Sequence, residues 1–364
     1  MIQIHADFIG GNIQLLRRDG NTVYVERDLR DSALNWFYWA FCVEGAQGQT
    51  LTFRFEQTRR LGYWGPAFSH DLKAWRWMNE KEGDGCRFTL SKEGDSFTYT
   101  FAEDESVVYF AHHMLYHPSR FKAYIQSHGL QAEALCQSRK GRTVPMVRFG
   151  KGEKKIMLTA RHHACESTGN YVLEGVLRQL LQTPVQGFEF VCIPFVDYDG
   201  VIDGDQGKSR IPHDHARDYT GESLYPETAA IRRYIAEHKV LFGFDFHSPW
   251  HIGEENDKCF MVKKSIDKLA ALNDFGRILE QCMTKDAFQY RHENDIEPNT
   301  LWNEVGTPTF ATSILTKTDS EIAFTLETAY YGEEGNVFSQ ACAVETGRCF
   351  AKAIDCYIRT HLKQ

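Results

Sequence analysis

The chain has 364 residues with 41 Lys and Arg against 49 Asp and Glu, a formal net charge of −8. Hydrophobic residues make up 42% and charged residues 25%, which excludes a disordered or fibrous chain and fits one large domain or two. The negative balance argues against nucleic-acid binding, which needs clustered Lys and Arg on phosphates, and no apolar run approaches the ~20 residues of a membrane helix. The start, Met-Ile-Gln-Ile-His-Ala-Asp, lacks a basic stretch followed by an apolar one, so no secretory signal is expected. Ten scattered cysteines without a CxxC pair do not make a disulfide framework, and several lie in apolar runs. The expected setting is a reducing cytoplasm.

The first ~115 residues read as short strands with little helical period. Leu51 to Phe55 and Phe97 to Phe101 alternate with period two, Trp36 to Phe41 is a dense aromatic run, and Gly45, Gly48, Gly83 and Gly85 punctuate the segments. This predicts an antiparallel β-sandwich over residues 1–120, with the aromatic run as its core rather than a carbohydrate platform. Helical spacing begins at Phe121 and is predicted to run to Leu135. Strands and helices then alternate: strands at 155–159, 188–196, 240–246 and 322–326, and helices at 168–181, 227–238, 266–282 and 340–362. That order predicts an α/β unit over 121–364, with a mixed sheet flanked by helices.

Three predicted strand ends carry chemistry. Thr159-Ala160-Arg161-His162-His163-Ala164-Cys165-Glu166 ends the first of these strands and precedes a helix, the place where open α/β sheets bind ligands. His163 and Glu166, three residues apart, have the spacing and chemistry of zinc ligands, and a catalytic zinc needs a third ligand and an open position. Gly243-Phe244-Asp245-Phe246-His247-Ser248 ends a second strand in a histidine, with His251 as a near alternative. Phe324-Thr325-Leu326-Glu327 ends a third in a carboxylate.

Together these segments resemble the M14 zinc carboxypeptidases, whose motifs are HxxE, D-x-H-S and T-x-E. The cytosolic carboxypeptidase branch is closer still: its Ala-Arg-x-His-Pro-Gly-Glu is similar to Ala160 to Glu166, with Ala164-Cys165 in place of Pro-Gly. Its N-terminal sandwich ends in a stretch like Tyr109-Phe110-Ala111 to Tyr116, and its Pro…Asp-Gly-Val loop resembles Pro194 to Val201. The resemblance implies a single Zn²⁺ on His163, Glu166 and His247, with Glu327 as general base. It implies Arg217 as the clamp for the substrate's terminal carboxylate, within Asp214-His215-Ala216-Arg217-Asp218-Tyr219, where Ala216 replaces the family's asparagine. The oxyanion cation falls to Arg210 or Lys208, with Arg210 preferred. His162 is the rival of His163 but has the wrong spacing to Glu166; Cys165 reads as a bystander.

The function implied is a cytoplasmic zinc metallocarboxypeptidase, a hydrolase removing C-terminal residues, acidic ones among them, from peptides or proteins. Two other readings share these residues. One is an N-acyl amino acid amidohydrolase of the aspartoacylase or succinylglutamate desuccinylase kind; the other is a non-catalytic binding protein on the same fold. The acidic stretch Glu254-Glu255-Asn256-Asp257 reads as a solvated loop.

Overall fold

The computed structural model describes all residues except 58–59, 79–87, 93–94 and 363–364. Gly83, Gly85 and Cys86 therefore lie outside the described residues. Residues 3–111 form two five-stranded sheets. One runs in the order Gln3–His5, Ala40–Glu44, Val107–Ala111, Ala67–Ser69, Arg76–Trp77, and the other in the order Gln14–Asp19, Thr22–Glu26, Thr50–Phe55, Ser96–Thr100, Phe88–Leu90. All pairings are antiparallel except that of Thr22–Glu26 with Thr50–Phe55, which is parallel. Leu51, Phe53 and Phe55 alternate inward as their period predicts, and Phe41, Phe53, Phe97 and Phe110 stack with centroids 5.0–6.5 Å apart. Each such pair adds ~0.5–1.5 kcal/mol beyond its area burial.

The aromatic run divides among three surroundings. Trp39 and Phe41 fill the sandwich core. Phe37 and Tyr38 belong to the larger core shared with the α/β part. Trp36, which precedes the strand, is only partly buried. The seam between the two parts carries a chain of buried imidazoles: His113 Nε2 meets Ser167 Oγ at 2.9 Å, His113 Nδ1 meets His112 Nδ1 at 2.9 Å, and His112 Nε2 meets His251 Nδ1 at 2.5 Å. His251 thus faces the sandwich.

The helix predicted over 121–135 ends early. It spans Pro118–Ser127, with His128 as its C-cap and Gly129 in the left-handed region at φ +69°. The chain then turns into the strand Ala132–Gln137, paired with Thr143–Gly150. A glycine at that conformation stops a helix, and the apolar spacing on either side of it concealed the break.

The seven-stranded sheet has the order Ala132–Gln137, Thr143–Gly150, Phe188–Ile193, Lys154–Ala160, Val240–His247, Ile322–Thr328, Cys259–Val262. Its four central members, from Phe188–Ile193 to Ile322–Thr328, are mutually parallel, and the flanking pairs are antiparallel. The chain passes from Lys154–Ala160 to the neighbour on one side and later to the neighbour on the other. The reversal of strand order therefore sits at Ala160, and its carboxyl-end crevice is the ligand position of such sheets. Helices Thr168–Gln182 and Gln340–His361 pack closely because glycines meet: a Cβ on Gly175 would lie 1.9 Å from Val344 O, and one on Gly347 1.9 Å from Val172 O. No helix among the described residues is long and apolar enough to cross a membrane.

Candidate metal centre and active site

Parallel register brings the three strand ends together. Ala160 pairs with Phe246, and His247 pairs with Glu327. The turn after Ala160 holds His163 and Glu166. Arg161 braces it: at φ +62° this buried residue turns the chain, and its guanidinium donates to Ala164 O at 2.7 Å. A non-glycine residue in that region is uncommon and marks a position fixed by its surroundings.

His163 Nδ1 lies 2.8 Å from Glu166 Oε1, and His247 Nδ1 lies 2.8 Å from Glu166 Oε2. Ligand atoms of all three residues fall within 4.8 Å of one another. The remote ring nitrogens face carboxylates: His247 Nε2 is 2.8 Å from Asp245 Oδ2, and His163 Nε2 is 3.6 Å from Asp214 Oδ1. A carboxylate on Nε2 favours the tautomer with its proton there, leaving Nδ1 as a lone-pair donor. Two such nitrogens and a carboxylate converging on one point fit a divalent ion such as zinc.

Asp245 does more than face His247. Its Oδ1 lies 2.8 Å from His162 Nδ1 and accepts from Thr159 Oγ1 at 2.8 Å, while His162 Nε2 meets Tyr219 Oη at 2.7 Å. Burial works against its charge, yet His162 and His247 hold the Asp245 carboxyl well below the usual carboxylate range. Both nitrogens of fully buried His162 are therefore engaged, which distinguishes it from His163, whose ring reaches the cavity. Asp245 and His247, two apart on one strand, share a face. The sequence thus contained the signal for Asp245 as an orienting group, but not for His162 or Tyr219.

The cavity at this point has a volume of about 610 Å³ and is lined by His163, Glu166, His247, Glu327, Lys208 and Arg217, among others. Burial pushes the Glu327 carboxyl up to about 7, with Glu166 adding to the shift and His247 and Lys208 opposing it. The Lys208 amine pairs with Glu166 Oε1. Gly207, at φ +73°, brings the loop so close that a Cβ there would lie 2.1 Å from Ala164 N. Arg210 differs from expectation. It lines the cavity, but its guanidinium is gripped by Asp31, Asp197 and Asp205 at 2.7, 2.6 and 3.1 Å, so its donors are spent on these three carboxylates.

Among the described residues, the Arg217 guanidinium donates to its neighbour Ala216 O at 3.5 Å and makes no ion pair. The loop that carries it is pinned by Asp218, which accepts from the Leu224 and Tyr225 N–H groups at 2.8 and 2.9 Å. Lys264 lines the same cavity without an ion pair or hydrogen bond among the described residues. Burial, with the Arg217 charge adding to it, lowers its amine to about 8. Nothing in the spacing of the chain flagged Lys264. Ala216 lies buried in the cavity wall. Burial pushes the Cys165 thiol up to about 12, as for an inert core cysteine. Tyr330 and Tyr331 are fully buried. The stretch Glu254–Asp257 is a 3₁₀ turn with Asp257 buried, not a solvated loop, and Glu255 lines the cavity.

Residues 4–113 match the family model of the cytosolic carboxypeptidase N-terminal domain. An uncharacterized protein of Zymomonas mobilis is 26% identical over 261 residues, covering 68% of this chain and 67% of that protein. Cytosolic carboxypeptidase 2 of Xenopus tropicalis is 25% identical over 297 residues, covering 68% of this chain but only 30% of that protein, so the chain spans less than a third of that relative. A metallo-carboxypeptidase structure from Burkholderia cenocepacia superposes with a TM-score of 0.79 over 99% of this chain and 100% of that one at 16% identity, which shows a shared fold. The chain thus resembles the cytosolic carboxypeptidase branch of the M14 metallocarboxypeptidases, by sequence through its N-terminal sandwich and by fold along its whole length.

Proposed function

We propose that the protein is a zinc-dependent metallocarboxypeptidase that removes C-terminal residues, with a preference for acidic ones, from peptides or proteins. The observation that carries this reading is the convergence of His163, Glu166 and His247 beside Glu327 in a cavity that also holds Arg217. His163, Glu166 and His247 would hold the ion. When bound, zinc supplies Lewis acidity for the scissile carbonyl and makes water acidic near neutrality. Glu327, buried beside the cluster, takes the proton of the attacking water and delivers it to the departing amine. Lys208, rather than Arg210, is the cation placed to balance charge developing on the carbonyl oxygen. Arg217 grips the terminal carboxylate through two parallel hydrogen bonds, without an asparagine beside it. Lys264, without an ion pair or hydrogen bond among the described residues and next to Arg217, accounts for the acidic preference by pairing with the side-chain carboxylate of the departing residue. The nine described cysteines are all free, in keeping with a reducing compartment.

The test is mass spectrometry of a mixed peptide library incubated with zinc-loaded protein, with Glu327→Gln as control. Loss of single C-terminal residues, acidic ones foremost, by the wild type alone is the expected result. Intact peptides in both samples would overturn the reading.

A further inference from the structure

Trp36 belongs to the sandwich part of the chain yet lines the same cavity as His163, Glu166 and His247. Its ring packs edge-on against Trp250, with centroids 4.7 Å apart and planes at 60°, and the Lys208 amine lies 4.5 Å from its centroid. The indole Nε1 is buried with no hydrogen-bond partner among the described residues. Trp250 remains 46% exposed. The Trp250 backbone N–H donates to Asn256 Oδ1 at 3.2 Å, and Asn256 and Glu255 also line the cavity.

These positions give the cavity a direction. On the carboxypeptidase reading, Arg217 and Lys264, which line this cavity, take the C-terminal residue. The scissile bond falls at the His163–Glu166–His247 cluster, with Lys208 alongside. Lys208 lies in turn against Trp36, so substrate leaving the cluster on its N-terminal side meets the Trp36–Trp250 wall. Resting on the carboxypeptidase reading, we propose that Trp36 and Trp250 form a subsite for an apolar, preferably aromatic, side chain immediately N-terminal to the scissile bond. Two indoles offer such a side chain a large apolar surface and favourable ring geometry. A carboxylate at the same place shares the cavity with the Glu255 carboxylate. The subsite therefore selects an acidic C-terminal residue that follows an apolar one, not a run of acidic residues.

The test uses labelled peptides ending in Phe-Glu, Gly-Glu and Glu-Glu. Their affinities for zinc-loaded Glu327→Gln protein are read by fluorescence anisotropy, and their turnover by the wild type is read in parallel. We expect Phe-Glu to bind at least about tenfold more tightly than the other two. Trp36→Ala and Trp250→Ala, each made in the Glu327→Gln background, should bring the Phe-Glu to Gly-Glu ratio close to one. Equal affinities for the three peptides, or a ratio unchanged in both tryptophan variants, would overturn the subsite. A purely structural role for Trp36 would weaken all three peptides together and leave the ratio intact. Selective binding without turnover by the wild type would sustain the subsite and overturn the carboxypeptidase reading instead.

Discussion

His247 and Glu327 are register partners on adjacent parallel strands, so an imidazole and a carboxylate leave the sheet side by side at one edge. The first is held from behind by Asp245, and the second is buried with no partner for its Oε2 among the described residues. Two neighbouring strands thus deliver a braced imidazole, the proposed ligand, and an unbraced carboxylate, the proposed base, to the same crevice. A base must stay free to exchange its proton, whereas a ligand gains from being fixed.

Asp245 is the bracing group common to His162 and His247. Asp245→Asn is expected to weaken zinc binding by about 10–100-fold, the usual consequence of losing a carboxylate behind a histidine ligand. Competition of the purified variant with a chelator of known affinity measures this. Unchanged affinity would show that Asp245 serves folding alone.

Lys264 is a cavity cation without an ion pair among the described residues. Lys264→Met should lower kcat/KM for peptides ending in glutamate by about 10–100-fold, the size of one charged hydrogen bond, while peptides ending in leucine lose little or gain. Arg217→Met should instead raise KM for every peptide, because each has a terminal carboxylate. Steady-state kinetics on the two peptide series separates the two roles, and a uniform effect of Lys264→Met would refute the assignment of acidic preference to it.

The buried imidazoles at the seam make stability depend on pH. Burial lowers His113 to about 3, with the Arg161 charge adding to the shift and Glu166 opposing it. His112 is likewise lowered well below its ordinary value by burial, then by His251, His113 and Arg60. A folded-state pKa below the unfolded one means that the unfolded chain binds more protons. This contribution is intact above about pH 6.5 and is lost as pH falls below it, at roughly 1.4 kcal/mol per pH unit for each histidine. His113→Gln should reduce the loss of stability between pH 6.5 and 5 by about 2 kcal/mol, as read from urea unfolding at the two pH values. An identical loss in the variant would place the acid sensitivity elsewhere.

Gly347 permits the contact between the two long helices. Gly347→Ala supplies a better helix former but places its methyl group against Val172 O. We expect the clash to outweigh propensity, with a net destabilisation of about 1–3 kcal/mol, measured by thermal or urea unfolding. A stabilised variant would mean that the helices separate without cost.

Local pattern made much of this protein legible. Period-two alternation marked Thr50–Phe55 and Ser96–Thr100, apolar runs marked Val240–His247 and Ile322–Thr328, and three-residue spacing put His163 and Glu166 on one turn. Other features depended on contacts between distant segments. The helix from Pro118 ends at Gly129 because of a left-handed backbone that apolar spacing does not report. Trp36 reads as sandwich core because the sequence says only that it is aromatic.

The amino-acid sequence alone determined which side chains stand at the ends of which strands, since alternation and helical period are properties of neighbours along the chain. The tertiary structure decided which of those groups meet. It distinguished His163 from His162 by where their nitrogens find partners. It spent Arg210 on three aspartates while leaving Lys208 beside Glu166, and it brought Lys264 next to Arg217. Charge pairing, burial and cavity walls arise between residues far apart in the chain, and only folding sets those distances.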